Sequence, residues 1–288
     1  MTIEPITQST TTIHTQAIEL NALNPKVLAD FYIEKIGLSL LKSQSDQDIY
    51  QLGTGQGHHL ITIYPTDLAK EARTTGLYHL ALLLPSRGDL GAILRHLIEE
   101  QVPLEGASDH GYSEALYLSD PEGNGIEIYA DKDESVWDKH DNGLIGGIVE
   151  PMDVEGVLAS QTKPFNGIAD GTIMGHIHLH VSNNEETLEF YKQVLGLGLK
   201  FIMNEQALFM ASQNYHHHLG ANLWNGRNIP QAAAGSQGLR HSIWAGSLAD
   251  IQAVEEKLKS RDYAYTKEDN SLYFNDPAGT GIILTVSD

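Results

Sequence analysis

The chemistry this chain can offer is concentrated in histidine. It has 14 His and no Cys, so disulfides, thiolate zinc sites, iron–sulfur clusters and thiolate nucleophiles are excluded, and any metal must rest on His, Asp or Glu. His176, His178 and His180 alternate with Ile177, Leu179 and Val181, which in a strand puts three imidazoles on one face and three aliphatic chains on the other. His79 stands within an apolar run from Leu77 to Leu84, and Glu127 lies in Gly125-Ile126-Glu127-Ile128-Tyr129. A buried His needs a partner. Two His and one carboxylate on one face, with further coordination positions open, are what a non-haem Fe(II) oxygenase requires, and His79, Glu127 and His176 are the candidate set. Three exposed His on a sheet, or core His satisfied by ordinary hydrogen bonds, are the readings without a metal.

The elements that must position these residues are repeated. Phe31-Tyr32 with Ile36-Gly37-Leu38 recurs as Phe190-Tyr191 with Leu195-Gly196-Leu197, and Asp120-Pro121-x-Gly123-x-Gly125 recurs as Asp276-Pro277-x-Gly279-x-Gly281. Each half splits again into a strand, a helix and several short strands, so the chain reads as βαβββ four times. Helix stripes are marked by Val27, Leu28, Phe31 and Ile36, by Leu90, Ile93, Leu94 and Leu97, and by Leu248, Ile251, Val254 and Leu258. Asn24 before Pro25 suits a helix start, as does Asn184 before Glu185 and Glu186. Aligning the modules puts Ala17, His79, His176 and His241 at one position in the opening strands, and Thr62, Glu127, Asn222 and Ile283 at one position in the closing strands. Only the second module carries both a His and a carboxylate. Residues 131–173 lack sustained periodicity and read as a connection, with a short helix near Val154 to Ala159. The expected domains are therefore 12–130 and 174–288, each of two modules. Trp137 is expected to dock on a neighbouring unit.

Against 38 Asp plus Glu there are 18 Lys plus Arg, a formal charge of −20, so no nucleic-acid partner is expected. Met1 to Gln16 is Thr-rich with no basic flank, and no apolar run approaches the roughly 18 residues of a membrane span. The expectation is a soluble, cytoplasmic protein with a small-molecule partner, as a monomer or a homo-oligomer. Gly53-x-Gly55-x-Gly57 leads into a strand, not a helix, and so is a hairpin turn and no phosphate loop.

On these residues the chain resembles the vicinal oxygen chelate superfamily of glyoxalases, bleomycin resistance proteins and extradiol dioxygenases. The resemblance implies an α+β fold of four βαβββ modules forming two cupped, barrel-like mixed-sheet units with helices outside. More narrowly, His110-x5-Leu116-Tyr117-x2-Asp120-Pro121-x-Gly123-x3-Glu127 is similar to the extradiol ring-cleavage signature. It departs at Ser108, where that signature prefers Gly, Asn or a small aliphatic residue. With Tyr78-His79 and Gly175-His176-Ile177-His178-Leu179, the chain is similar to bacterial catechol 2,3-dioxygenases. That implies Fe(II), or Mn(II), on His79, Glu127 and His176, with an aromatic diol and O2 as substrates and a hydroxymuconic semialdehyde as product. It also implies Tyr117 on a substrate oxygen, His110 behind it, and an acid–base His within His216-His217-His218. Strand parity with Asn222 favours His218, because His217 shares parity with Leu219 and Ala221; Asn222 and His178 are placed against the substrate. With Ile283 in the carboxylate position, the fourth module is not expected to hold the metal. Module two is therefore expected to pair with module three, and module one with module four. A glyoxalase-like isomerase predicts a second carboxylate where Thr62 and Asn222 stand, and a metal-free protein binding a small aromatic compound predicts a lost triad.

Overall fold

The computed structural model describes residues 9–287; of the Thr-rich opening, residues 1–8 lie outside them. Module one runs β1 (His14–Ala22), α1 (Pro25–Phe31), β2 (Ser39–Gln44), β3 (Ile49–Gly53) and β4 (His59–Pro65). Module two runs β5 (Gly76–Leu84), α2 (Arg87–Glu99), β6 (Gly106–Asp109), β7 (Ser113–Ser119) and β8 (Gly125–Asp131). The connection holds three two-residue strands, β9 (Asp138–Lys139), β10 (Ile145–Gly146) and β11 (Glu150–Pro151), and the short helix α3 (Val154–Ala159). Module three runs β12 (Ile173–His180), α4 (Asn184–Phe190), β13 (Gly198–Met203), β14 (Ala207–Ala211) and β15 (Leu219–Asn222). Module four runs β16 (Gly238–Gly246), α5 (Leu248–Ser260), β17 (Tyr265–Glu268), β18 (Ser271–Asn275) and β19 (Gly281–Val286). The fold is α+β, with mixed sheets built from four βαβββ modules.

The two modules of one half of the chain do not share a sheet. One sheet is ordered β17-β18-β19-β16-β1-β4-β3-β2 and joins modules four and one; the other is ordered β11-β6-β7-β8-β5-β12-β15-β14-β13 and joins modules two and three. The seams are antiparallel, β1 on β16 and β5 on β12, while each opening strand pairs in parallel with the closing strand of its own module. The pairing inferred from Ile283 is the one found.

Alternation within the strands divides core from site. Leu80, Leu82, Ile126, Ile128, Ile177, Leu179 and Val181 face the helices in one continuous core with Leu90, Ile93, Leu94 and Leu97 of α2. The opposite face of the second sheet carries the His and Glu side chains. Two local expectations are corrected. Asn24 makes no side-chain cap; its backbone N–H donates to Glu122 Oε1 at 2.8 Å, while Val27 is exposed. The cap of α4 is Asn183, whose side chain accepts from the N–H groups of Glu185 and Glu186, and Asn184 is already helical. The repeated sequence signatures meet in space: the Tyr32 hydroxyl donates to Asp120 at 3.0 Å, and the Tyr191 hydroxyl donates to Asp276 at 3.1 Å. Each ties a first-strand helix to the Asp-Pro turn of the next module. Trp137 is buried with Tyr112, Ile145 and Tyr215, docking the connection against modules two and three.

Candidate metal centre

Strand register brings the triad together. Across three adjacent strands, Glu127 of β8 lies beside Ala81 of β5, and Ala81 lies opposite His176 of β12. Neighbouring strands are about 4.8 Å apart, so Glu127 and His176 must lean over Ala81 to meet, and its single methyl group is what leaves them room. His79 stands two residues away along β5 on the same face. The resulting contacts are His79 Nε2 to His176 Nε2 at 3.3 Å, His79 Nε2 to Glu127 Oε2 at 3.1 Å, and His176 Nε2 to Glu127 Oε2 at 3.1 Å. All three side chains are buried, and together they form a possible three-residue metal site.

The donor set fits a divalent ion. Edges of this length are those made by cis ligands about 2.2 Å from one centre. Burial pushes His176 down to about 4, against the pull of Glu127, so the ring is neutral and its lone pair is available at neutral pH. Burial would raise Glu127, but the imidazoles of His176 and His79 overcome it and hold the carboxyl well below its usual range. An ionised carboxylate and imidazole nitrogens converging on one buried point need a cation to offset their crowding.

The repeat equivalences are corrected by the ladders. Glu127 sits beside Ala81 and Asn222 beside His180, so matching Glu127 to Asn222 makes His178, not His176, the counterpart of His79. The triad is thus not a symmetric use of two equivalent positions. Asn222 is fully buried a row further along: its Oδ1 accepts from His180 Nδ1 at 2.8 Å and from Trp224 N–H at 3.0 Å, and its Nδ2 has no partner among the described residues. His178 is buried with its ring 4.9 Å from His79, and its Nε2 is likewise without a partner among them. Gly220 gives it room, since a Cβ there would lie 2.7 Å from the His178 ring. Tyr78 and Trp224, both exposed, pack edge-on against each other; Tyr78 also meets His178 edge-on, and Trp224 lies tilted against it.

Tyr117 pairs with Glu127 across β7 and β8, and its ring lies 5.9 Å from His79. Its hydroxyl meets His110 Nε2 at 2.6 Å, while His110 Nδ1 meets the Ile148 carbonyl at 3.0 Å. A carbonyl only accepts, so Nδ1 carries the proton and Nε2 accepts from Tyr117 O–H. Burial and then Glu127 push Tyr117 well above its ordinary value, keeping it a phenol.

Geometry sets His217 apart from His218. The ring against His176 is His217, at 4.0 Å between centroids, whereas His218 turns towards His14 and Tyr215 and lines a separate cavity of about 500 Å³. Strand β15 begins at Leu219, and the chain bends through His218, so alternation counted back from Asn222 does not reach it. Burial, then His176, pushes His217 well down, leaving it neutral. His216 beside it was one of the three candidate acid–base residues of the His run, whereas Asp131 and Tyr215 were given no role from the sequence.

Comparison with known proteins agrees with this architecture. Relative to curated sequences, the chain is 36% identical over 263 residues to a catechol-2,3-dioxygenase of Bacillus subtilis (strain 168), covering 89% of this chain and 91% of that one. Among solved structures it is similar in fold to a putative dioxygenase from Bacillus subtilis, with TM-score 0.64 and 16% identity over 97% of this chain and 86% of that one. Glyoxalase I from Zea mays is similar at TM-score 0.59 and 14% identity, covering 95% and 92%. The model of the Glyoxalase/Bleomycin resistance protein/Dioxygenase superfamily matches residues 14–128 and 173–284, most of the chain and all four modules, so the protein belongs to that superfamily.

Proposed function

We propose that this protein is an extradiol ring-cleaving dioxygenase that opens catechol-type aromatic diols with O2 at a non-haem Fe(II) centre. The observation that carries this is the buried His79, Glu127 and His176 set, with edges of 3.1–3.3 Å and a single carboxylate. Such a set suits an ion that keeps open positions for a chelating diol and for O2. The catechol-2,3-dioxygenase relative supports the substrate class. Fe(II), when bound, would pass electrons between ring and oxygen. With one carboxylate and two neutral imidazoles it leaves a net single positive charge, which a catecholate monoanion offsets in a dry site.

The protein's own groups then have distinct tasks. His217, neutral and packed on His176, takes a proton from a catechol hydroxyl and returns one as the ring opens; groups of this kind contribute about 10²- to 10⁴-fold. Tyr117, its O–H donating a hydrogen bond to His110, presents oxygen lone pairs to a diol hydroxyl and fixes the ring's orientation. His178 and Asn222, each with an unpartnered buried nitrogen, complete the polar wall on the β12 and β15 side, and Tyr78 and Trp224 form its aromatic rim.

The test is anaerobic Fe(II) loading followed by catechol and air, watching for the yellow ring-fission product. The wild type is expected to turn yellow, and His176→Ala to lose both bound metal and product. Product formation undiminished in His176→Ala would overturn the ligand set, and one metal per chain with no product from any simple catechol would overturn the reaction.

A further inference from the structure

Behind His217 runs a chain of hydrogen bonds that leads away from the triad. His217 Nδ1 lies 2.8 Å from His216 Nδ1, and His216 Nε2 lies 2.9 Å from Asp131 Oδ1. Asp131 ends β8, four residues beyond Glu127, with its side chain 22% exposed, whereas that of His216 is 1% exposed. The His216 ring is held on both sides, stacked on Tyr112 at 4.2 Å and 14° and packed against Tyr215 at 4.0 Å and Trp137 at 5.2 Å. It cannot turn without displacing three aromatic rings.

Hydrogen-bond valence links the protons. A carboxylate has no donor, so the bond to Asp131 requires a proton on His216 Nε2. With His216 as a neutral imidazole, which carries one N–H, its Nδ1 then accepts. The only proton left for the bond between the two histidines belongs to His217 Nδ1, and the Nε2 of His217 is therefore a bare lone pair. We propose that Asp131 and His216 are positioning residues that act through one another to hold His217 in the Nδ1–H tautomer, with Nε2 ready to accept a proton. Without the carboxylate the relay has no direction: the opposite arrangement, with His216 donating from Nδ1 and His217 protonated at Nε2, makes the same bond between the rings. An Asn at position 131 favours that reversed arrangement, because its amide can donate to His216 Nε2. Only what the lone pair does rests on the ring-cleavage reading; which nitrogen carries it does not.

The tautomers are read directly by ¹⁵N NMR of the metal-free full-length protein, with His216 and His217 assigned by substitution. The expected wild-type result is His216 neutral and protonated at Nε2, with His217 protonated at Nδ1. Asp131→Asn is expected to move the His217 proton to Nε2, and Asp131→Glu to keep the wild-type pattern. In the Fe(II)-loaded enzyme, Asp131→Asn is expected to lower kcat about 10²- to 10³-fold with KM within about threefold and metal content unchanged, and Asp131→Glu to recover most of the rate. An imidazolium at His216, a wild-type His217 protonated at Nε2, or a His217 tautomer indifferent to Asp131→Asn would overturn the proposal. The wild-type spectrum decides even if a variant does not fold. The expected tautomers in a wild type that cleaves no catechol would leave the relay standing and remove the reaction instead, while turnover unaffected by Asp131→Asn would remove the relay's role in it.

Discussion

His217 is buried and the adjacent His218 half-buried, and they face different groups because the chain bends just before β15 begins at Leu219. Their neighbours follow from that bend: His176 and His216 for the one, His14 and Tyr215 for the other. A proton-transfer group works only within hydrogen-bond reach of the atom it serves. His217→Ala is therefore expected to cut turnover of catechol by about 10²- to 10⁴-fold while one metal per chain is retained, and His218→Gln to change it by less than about threefold. Steady-state kinetics with parallel metal analysis checks both; a large loss confined to His218→Gln would return the acid–base role to that residue. Ala81 shows the complementary point that a site can depend on a small residue, since Glu127 and His176 converge above it from the strands on either side.

Among the elements, the two Asp-Pro turns show how a repeated motif serves the fold. Each places a buried carboxylate under a helix Tyr, Asp120 with Tyr32 and Asp276 with Tyr191. Burial pushes Asp276 up to about 6, although the Thr280 backbone N–H and the Tyr191 hydroxyl both favour its anion. In the unfolded chain an Asp titrates near about 3.9. Between those two values the folded state binds more protons than the unfolded one, so the contribution to stability is full below about pH 4 and is lost as pH rises through 6. A shift of about two units corresponds to about 3 kcal/mol. Urea unfolding of the metal-free wild type and of Asp276→Asn is expected to show their stability difference moving against the wild type by about 2 kcal/mol from pH 4 to pH 7, because part of the shift is already lost at pH 4. A difference that stays flat would contradict the burial argument.

Taken as a molecule, the chain crosses between its sheets so that each sheet holds one module from the first half and one from the second. The seams are continuous backbone ladders, β5 on β12 and β1 on β16, and the Thr15 hydroxyl adds a bond to the Gly175 carbonyl at 2.9 Å. Covalent continuity through the exposed stretch around Lys139 is thus not what keeps the halves together. A tryptic nick after Lys139 is expected to leave both fragments co-eluting on native gel filtration and separating only in denaturant. Fragments that part under native conditions would show that the ladders and shared core are weaker than the linker. The same crossing assembles the possible metal site, because His79 and Glu127 come from one half and His176 from the other.

Residue types and local periodicity were enough to identify four βαβββ modules, the core faces of β5, β8 and β12, and the three side chains that converge at the possible metal site, because alternation and repeat spacing are local properties of the chain. The absence of a carboxylate at Ile283 even implied which modules share a sheet. Position along a strand relative to its neighbour was not local. The offset that aligns Glu127 with Ala81 and Asn222 with His180 is set by hydrogen-bond register between segments far apart in sequence, so matching modules by motif misassigned the counterparts by two residues. The bend at His218 and the line from His217 through His216 to Asp131 arose likewise from packing between modules two and three. No spacing within one module records where a ring on another will come to rest.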